Sequence, residues 1–190
     1  YSQGTNRGSL GNSCMANGDS EWFEIYTLNP DVCSLLILKD DDVDKIKGRA
    51  LVWKLTTPEI TFMDRIYTHE DSDIQLFKDY AIHKGWHYKK YNNSSPEGEL
   101  VNSNGNVNFD LLSVDIKKIG YDKFPYVDTL KYYDVAGSRL TNDENRSYKC
   151  LEDTDGGYTG ECDECGGRGT VECEECNGRG NHSCNDCDGD

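Results

Sequence analysis

Apolar and polar positions along this chain recur in short runs, and the prevailing period is that of strands. Residues 33–38, Cys-Ser-Leu-Leu-Ile-Leu, form a compact apolar run that predicts a buried strand. Asp40, Asp41 and Asp42 mark a turn, and residues 48–55 alternate well enough for a second strand. Thr56-Thr57-Pro58 punctuates it, and residues 60–67 predict a third, giving a three-stranded antiparallel meander. The period then changes. Asp71 or Ser72 caps a helix that places Ile74, Phe77 and Ala81 on one face, and Gly85 ends it. Residues 86–91 return as a strand. Upstream, residues 1–13 are rich in Gly, Ser and Asn without a period and predict a flexible arm or loop. Asp19 or Ser20 opens a short helix through Trp22, Phe23, Ile25 and Tyr26, which Asn29-Pro30 stops.

Past Asn92 the pattern is weaker. Residues 92–108 read as a polar loop, 109–116 and 126–133 as strands, Ala136-Gly137-Ser138 as a turn, and 147–151 as a last short strand. The expectation is an α+β domain over residues 1–154, an antiparallel sheet with two helices. A Gly-rich linker at 155–160 and a distinct module at 161–190 follow it.

That module changes the picture. It reads Cys162-Asp-Glu-Cys165-Gly-Gly-Arg-Gly169, Cys173-Glu-Glu-Cys176-Asn-Gly-Arg-Gly180 and Cys184-Asn-Asp-Cys187-Asp-Gly189-Asp190: one unit, C-x-x-C-x-G-x-G, written three times at a spacing of 11 residues, the last without its final glycine. Two thiols two residues apart can grip one ion from a single tight turn, and Zn²⁺ takes four such ligands at about 2.3 Å. The glycines suit a backbone that must curl back with its amides toward the thiolates. The alternative is a disulfide framework, but disulfide-rich secreted chains are short, with cysteines spread through loops. Here six of nine cysteines stand in strict pairs near one end of 190 residues. Zinc on Cys162, Cys165, Cys173, Cys176, Cys184 and Cys187 is the expectation, and reduced thiols imply a cytoplasmic protein. No signal peptide and no run of about eighteen apolar residues is present, so no membrane span is expected.

The repeats resemble the cysteine-rich zinc domain of DnaJ-type (Hsp40) chaperones. There four units make two zinc sites, the inner pair of units sharing one ion and the outer pair the other. By order, the resemblance implies an inner site of Cys173, Cys176, Cys184 and Cys187. It leaves Cys162 and Cys165 to be completed by a continuation of the natural chain, by Cys150 and His182, or by another chain. A first residue, Tyr1, that is not methionine favours a longer natural chain. No J-domain signature precedes the repeats, so co-chaperone activity is not implied.

Charge narrows the partners. The formal net charge is −15, and the module carries nine acidic residues against Arg168 and Arg179. Each all-cysteine zinc site adds about −2. Nucleic-acid affinity comes from neutralising phosphates, so the sign speaks against direct DNA or RNA binding. A basic protein partner, or mimicry of nucleic acid, suits it better; plain solubility is the bland reading.

Two further resemblances concern the first domain. The strand order and the helix from residue 33 to 91 are similar to the middle of GNAT-type N-acetyltransferases. In those enzymes the helix opens with a Gln/Arg-x-x-Gly-x-Gly/Ala loop that holds the acetyl-CoA pyrophosphate. Here Thr68-His69-Glu70-Asp71-Ser72-Asp73 has no glycine and three carboxylates, which would repel it. Ser13-Cys14-Met15, Gly48-Arg49-Ala50-Leu51-Val52-Trp53 and Met63-Asp64-Arg65-Ile66-Tyr67 resemble a group of uncharacterised tailed-bacteriophage proteins. That implies a host-cell cytoplasm and no particular activity.

Candidate chemistry in the first domain is sparse. Cys14 sits in a loop before a helix, where amides can lower a thiol pKa. A nucleophile there would need His69, His83 or His87 as base, and a plain buried cysteine is the commoner case. Asp64 and Arg65 stand inside an apolar strand, where alternation puts one of them inward. An Arg65–carboxylate pair fixing the core competes with an anion-binding arginine. Tyr121, Tyr126, Tyr132 and Tyr133 could form a contact surface or be ordinary strand residues. The expectation is a zinc-binding module that binds a host or phage protein. The rivals are a GNAT-like acyltransferase or Cys14-dependent enzyme, and a virion or assembly component.

Overall fold

A computed structural model describes residues 8–11, 23–39, 46–117, 127–145, 148–151, 170–172 and 181–183. The chain divides into two units, Tyr1–Thr154 and Asp155–Asp190. The first is α+β and mostly sheet.

Its larger sheet has six strands in the order β1-β2-β3-β4-β5-β6. These are β1 (Cys33–Lys39), β2 (Ile46–Lys54), β3 (Thr61–Thr68), β4 (His87–Lys89), β5 (Glu99–Asn102) and β6 (Gly105–Asn108). The first three pair antiparallel as the alternation predicts. A turn of 3₁₀ helix at Asp71–Asp73 leads into α3 (Ile74–His83), so neither Asp71 nor Ser72 caps it; the residue before it is Asp73, which makes no side-chain cap bond. The helix crosses the sheet so that β4 lies parallel to β3. A strand, a helix and a parallel strand need such a crossover, because no tight turn can join parallel neighbours. Gly85 ends the helix at φ +69°, a conformation that favours glycine.

Five expectations are corrected. Residues 33–38 are not a buried strand: β1 is an edge of the sheet, with Leu35 and Ile37 among its exposed side chains. Of the strand expected at 109–116, only Ser113–Asp115 is one. Residues 92–108 are not all loop: 99–108 hold the β5/β6 hairpin, with Asn102 Oδ1 accepting from the Asn104 amide at 2.8 Å and Gly105 at φ +111°. Its polar composition hid it, since Leu100 alone in these strands is fully buried. The expected strand at 126–133 begins only with β8 (Tyr132–Asp134), although Val127 to Leu130 are buried. Residues 8–11 are not a free arm. They form a helical turn, α1 (Gly8–Gly11), whose Ser9 hydroxyl accepts from the Thr68 amide at 3.0 Å and donates to the Thr68 carbonyl at 3.3 Å. The second helical turn, α2, is Glu24–Thr27, and the residue before it is Phe23, without a side-chain cap bond, rather than the expected Asp19 or Ser20, which lie outside the described residues.

The smaller sheet, ordered β10-β8-β9-β7, comprises β7 (Ser113–Asp115), β8, β9 (Arg139–Thr141) and β10 (Lys149–Cys150), all antiparallel neighbours. The turn expected at residues 136–138 joins β8 to β9, with Ser138 at φ +50°.

The large sheet has apolar clusters on two sides. Ala50, Val52, Met63, Ile66 and Tyr88 pack with Phe77 and Ala81 of α3. Trp53, Phe62 and Leu100 pack instead with Ile25, Leu112, Val114, Leu130 and Leu140, which joins the two sheets. Asn29, buried, pins this second layer: its Nδ2 donates to the Ile25 carbonyl at 2.8 Å and its Oδ1 accepts from the Lys117 amide at 2.6 Å.

In the second unit, β11 (Thr170–Glu172) and β12 (Asn181–Ser183) pair antiparallel, Thr170 opposite Ser183, Val171 opposite His182 and Glu172 opposite Asn181.

Candidate functional site

The feature that alternation misses lies in β3. Ala50 pairs with Ile66 and Val52 with Met63, so the single residue Leu51 is opposed by both Asp64 and Arg65. One extra residue is inserted in β3, a bulge that resets which way successive side chains point. Asp64 and Arg65 therefore do not divide between the two faces. Both engage residues 128–129: the Asp64 carboxylate accepts from the Thr129 hydroxyl at 2.7 Å and the Thr129 amide at 3.2 Å, while Arg65 Nη1 lies 3.2 Å from Asp128 Oδ1. Asp64 Oδ1 also accepts from the Arg65 amide at 2.8 Å.

Tyr67, two residues on, completes the arrangement. Its hydroxyl donates to Asp128, 3.0 Å from Oδ1 and 2.9 Å from Oδ2. The guanidinium carbons of Arg49 and Arg65 stand 4.3 and 4.9 Å from the Tyr67 ring centroid, within cation–π range. Lys89, buried on β4, donates from Nζ to the Ser95 carbonyl. Beyond the two parallel rungs, Phe62–His87 and Met63–Tyr88, the side-chain amide of Asn92 takes over. Its Oδ1 accepts from the Ile66 amide at 2.8 Å, and its Nδ2 donates to the Ile66 carbonyl at 2.9 Å.

Burial governs the electrostatics of this knot. It pushes the Asp128 carboxyl up to about 6, with the nearby Asp64 charge adding to the effect against Tyr67 and Arg65. Burial lowers the proton affinity of Lys89, which Asp64 and Asp128 partly restore. The Tyr67 hydroxyl is raised by burial and then by Asp128, so it stays a donor. Burial and then Asp64 push the Cys33 thiol up to about 12, which leaves no thiolate for nucleophilic work at neutral pH. The knot satisfies buried charge and fastens residues 128–129 to the sheet. That is the core-fixing Arg65–carboxylate pair of the two sequence readings.

Asp128, Tyr67, Arg49 and Lys89 were not singled out by sequence reasoning. A usable signal existed: Asp128-Thr129 interrupts an apolar run much as Asp64-Arg65 does, and buried charges call for opposite charges elsewhere.

Cys14, Cys162, Cys165, Cys173, Cys176, Cys184 and Cys187 lie outside the described residues, as do Tyr121 and Tyr126. Tyr132 and Tyr133 are buried, so they do not form the contact surface considered for them. His69 is half-buried rather than exposed, with Nε2 shielded from solvent. His83 is exposed on the last turn of α3. His87 Nε2 lies 2.9 Å from Asn102 Nδ2, its ring meets Phe109 edge-on, and burial lowers its proton affinity. Cys150, half-buried on β10, and Cys33 are free thiols. Among the described residues no group of three His, Cys, Asp or Glu side chains is placed to hold a metal, and no helix is long and apolar enough to cross a membrane.

No protein-family model matches the chain, and neither a curated protein nor a solved structure shows significant similarity to it.

Proposed function

We propose that the chain is a zinc-bound protein-interaction module of phage type, cytoplasmic, which acts by holding another protein against an acidic surface. The observation that carries this reading is the threefold C-x-x-C-x-G-x-G repeat, with the β11 and β12 segments lying between successive units. The donor chemistry fits the ion: six thiols in pairs, glycines beside each pair, and all-sulfur sites that leave no position open for water. The zinc is then structural, and its binding is coupled to ordering of the repeats. The formal net charge of −15 selects a basic protein surface over nucleic acid.

Metal content and capture test the reading together. Reduced, freshly purified protein should carry at least one zinc per chain. Immobilised chain should retain a host or phage protein that elutes with salt and is released by chelation. Less than one zinc per chain would remove the metal part of the reading. Capture that ignores both salt and chelator would remove the acidic, zinc-ordered surface.

A second reading concerns fold ancestry. Three antiparallel strands, α3 and a parallel β4 give the order of a GNAT-like core, which supports that kinship. The approach to α3 argues against its cofactor, because Glu70, Asp71 and Asp73 would face a pyrophosphate. Calorimetric titration with acetyl-CoA should give no heat of binding. Saturable binding would revive the acyltransferase.

A further inference from the structure

Strand β1 is an outer edge of the large sheet, with β2 on one side and, among the described residues, no strand on the other. Its register against β2 is unbroken from Cys33 to Leu38, so its backbone groups alternate strictly between the two sides. The Lys54 amide donates to the Val32 carbonyl at 2.8 Å, which fixes the phase. Ser34, Leu36 and Leu38 therefore turn their amides and carbonyls to β2, while Leu35 and Ile37 turn theirs away. The Cys33 amide, in the same outward phase, donates to the Asn29 carbonyl at 2.9 Å. Leu35 and Ile37 have no such cover among the described residues, and their side chains are 53% and 37% exposed.

Edges of this kind are usually blunted by charge, proline or a bulge, because open backbone groups template another strand. Here the bulge and the lysine come only at the end of the strand, at Leu38 and Lys39, and its centre is unguarded. Two observations select the strand that fits. The edge is self-complementary: in an antiparallel pair of β1 strands centred on Leu36, Leu35 of each copy stands opposite Ile37 of the other. Both rungs are of the hydrogen-bonded kind, with Cα atoms about 5.5 Å apart, and the exposed apolar side chains cover one another on one face. Charge also matches across the twofold axis. The same register puts Lys39 opposite Cys33 of the second copy, two residues from its Asp31, and both charged residues are exposed. The seven residues of β1 hold one lysine and no carboxylate, so the strand itself adds nothing to the repulsion expected from a net charge of −15.

We propose that β1 is a homodimer interface, at which two copies of the chain pair β1 to β1 antiparallel and extend their sheets into one. The contact is isologous, so it closes on a dimer and leaves no open edge at β1. It uses neither the cysteine repeats nor the knot around Asp128, and it does not depend on the zinc reading.

Sedimentation equilibrium of the full chain, under reducing conditions that exclude disulfide cross-links, should give a reversible monomer–dimer equilibrium. Ile37→Pro deletes an outward amide and leaves β2 its partners. It should weaken the dimer about tenfold or more, since each of two symmetric rungs loses a bond. Leu35→Glu/Ile37→Glu should abolish the dimer with circular dichroism unchanged, because it sets carboxylates opposite one another at exposed positions. Lys39→Asp and Asp31→Lys should each weaken association, and the two together should restore it. Leu76→Glu, on a leucine of α3 that is also 53% exposed, should leave association unchanged. A chain that stays monomeric at its highest soluble concentration would overturn the proposal. So would a dimer that survives Leu35→Glu/Ile37→Glu, or a charge swap that restores nothing.

Discussion

Tyr67 and Asp128 stand 61 positions apart in the chain, yet the tyrosine hydroxyl lies 3.0 and 2.9 Å from the two oxygens of the aspartate carboxylate. The bond is made in a setting that raises the proton affinity of Asp128 from the ordinary 3.8 to about 6. A carboxyl that binds its proton more tightly in the folded state stabilises the fold most where both states are protonated, below about pH 4. That contribution declines as the pH rises toward about 6, where the folded state also ionises, and is constant above. Urea unfolding should therefore show wild type losing stability relative to Asp128→Asn between about pH 4 and 6, with a level difference beyond about pH 7. A difference that is flat across the whole range would refute the assignment.

Asp64 and Thr129 should be energetically coupled. Asp64→Ala removes an acceptor from two buried donors of Thr129 and should destabilise the protein by about 2–4 kcal/mol. Thr129→Val removes the hydroxyl alone and should cost about 1–2 kcal/mol. A double-mutant cycle should return a coupling of about 1–3 kcal/mol, and additivity within about 0.5 kcal/mol would show that the contact contributes nothing specific.

Gly48 faces α3 across very little space. A Cβ there would come 2.8 Å from Phe77 Cε2 and 2.9 Å from Thr68 Cγ2. Gly48→Ala should lower stability by about 1–3 kcal/mol through overpacking. Adding Phe77→Leu should make the alanine less harmful than it is alone, which thermal unfolding of the four proteins can measure.

Cys33, buried and with its thiol held near 12, should resist alkylation in native protein at pH 8 and react only after unfolding. Half-buried Cys150 should be modified first of these two. Peptide mapping after a short iodoacetamide pulse reads the order directly.

Much of the large sheet was legible because its signals are local. The apolar run of β1, the alternation of β2 and the 3.6-residue period of Ile74, Phe77 and Ala81 each sit within a dozen residues. The β5/β6 hairpin was not, since Glu99, Asn102, Asn106 and Asn108 outnumber its apolar positions and only Leu100 is fully buried. The knot was half legible. Asp64 and Arg65 announce themselves inside an apolar strand, but the bulge that turns both toward Asp128 and Thr129 is decided by pairing with β2. In the repeats, the spacing of each cysteine pair is written in the chain.

Asn92 carries a final lesson about what this sheet can accept. Its primary amide offers the Ile66 peptide one donor and one acceptor, as a neighbouring strand would, at the point where β4 has already departed. Aspartate is nearly isosteric yet would turn an oxygen onto the Ile66 carbonyl, and leucine would strand both backbone groups without water. A single side chain here impersonates a missing strand, so the width of the sheet at this level is set by one nitrogen and one oxygen.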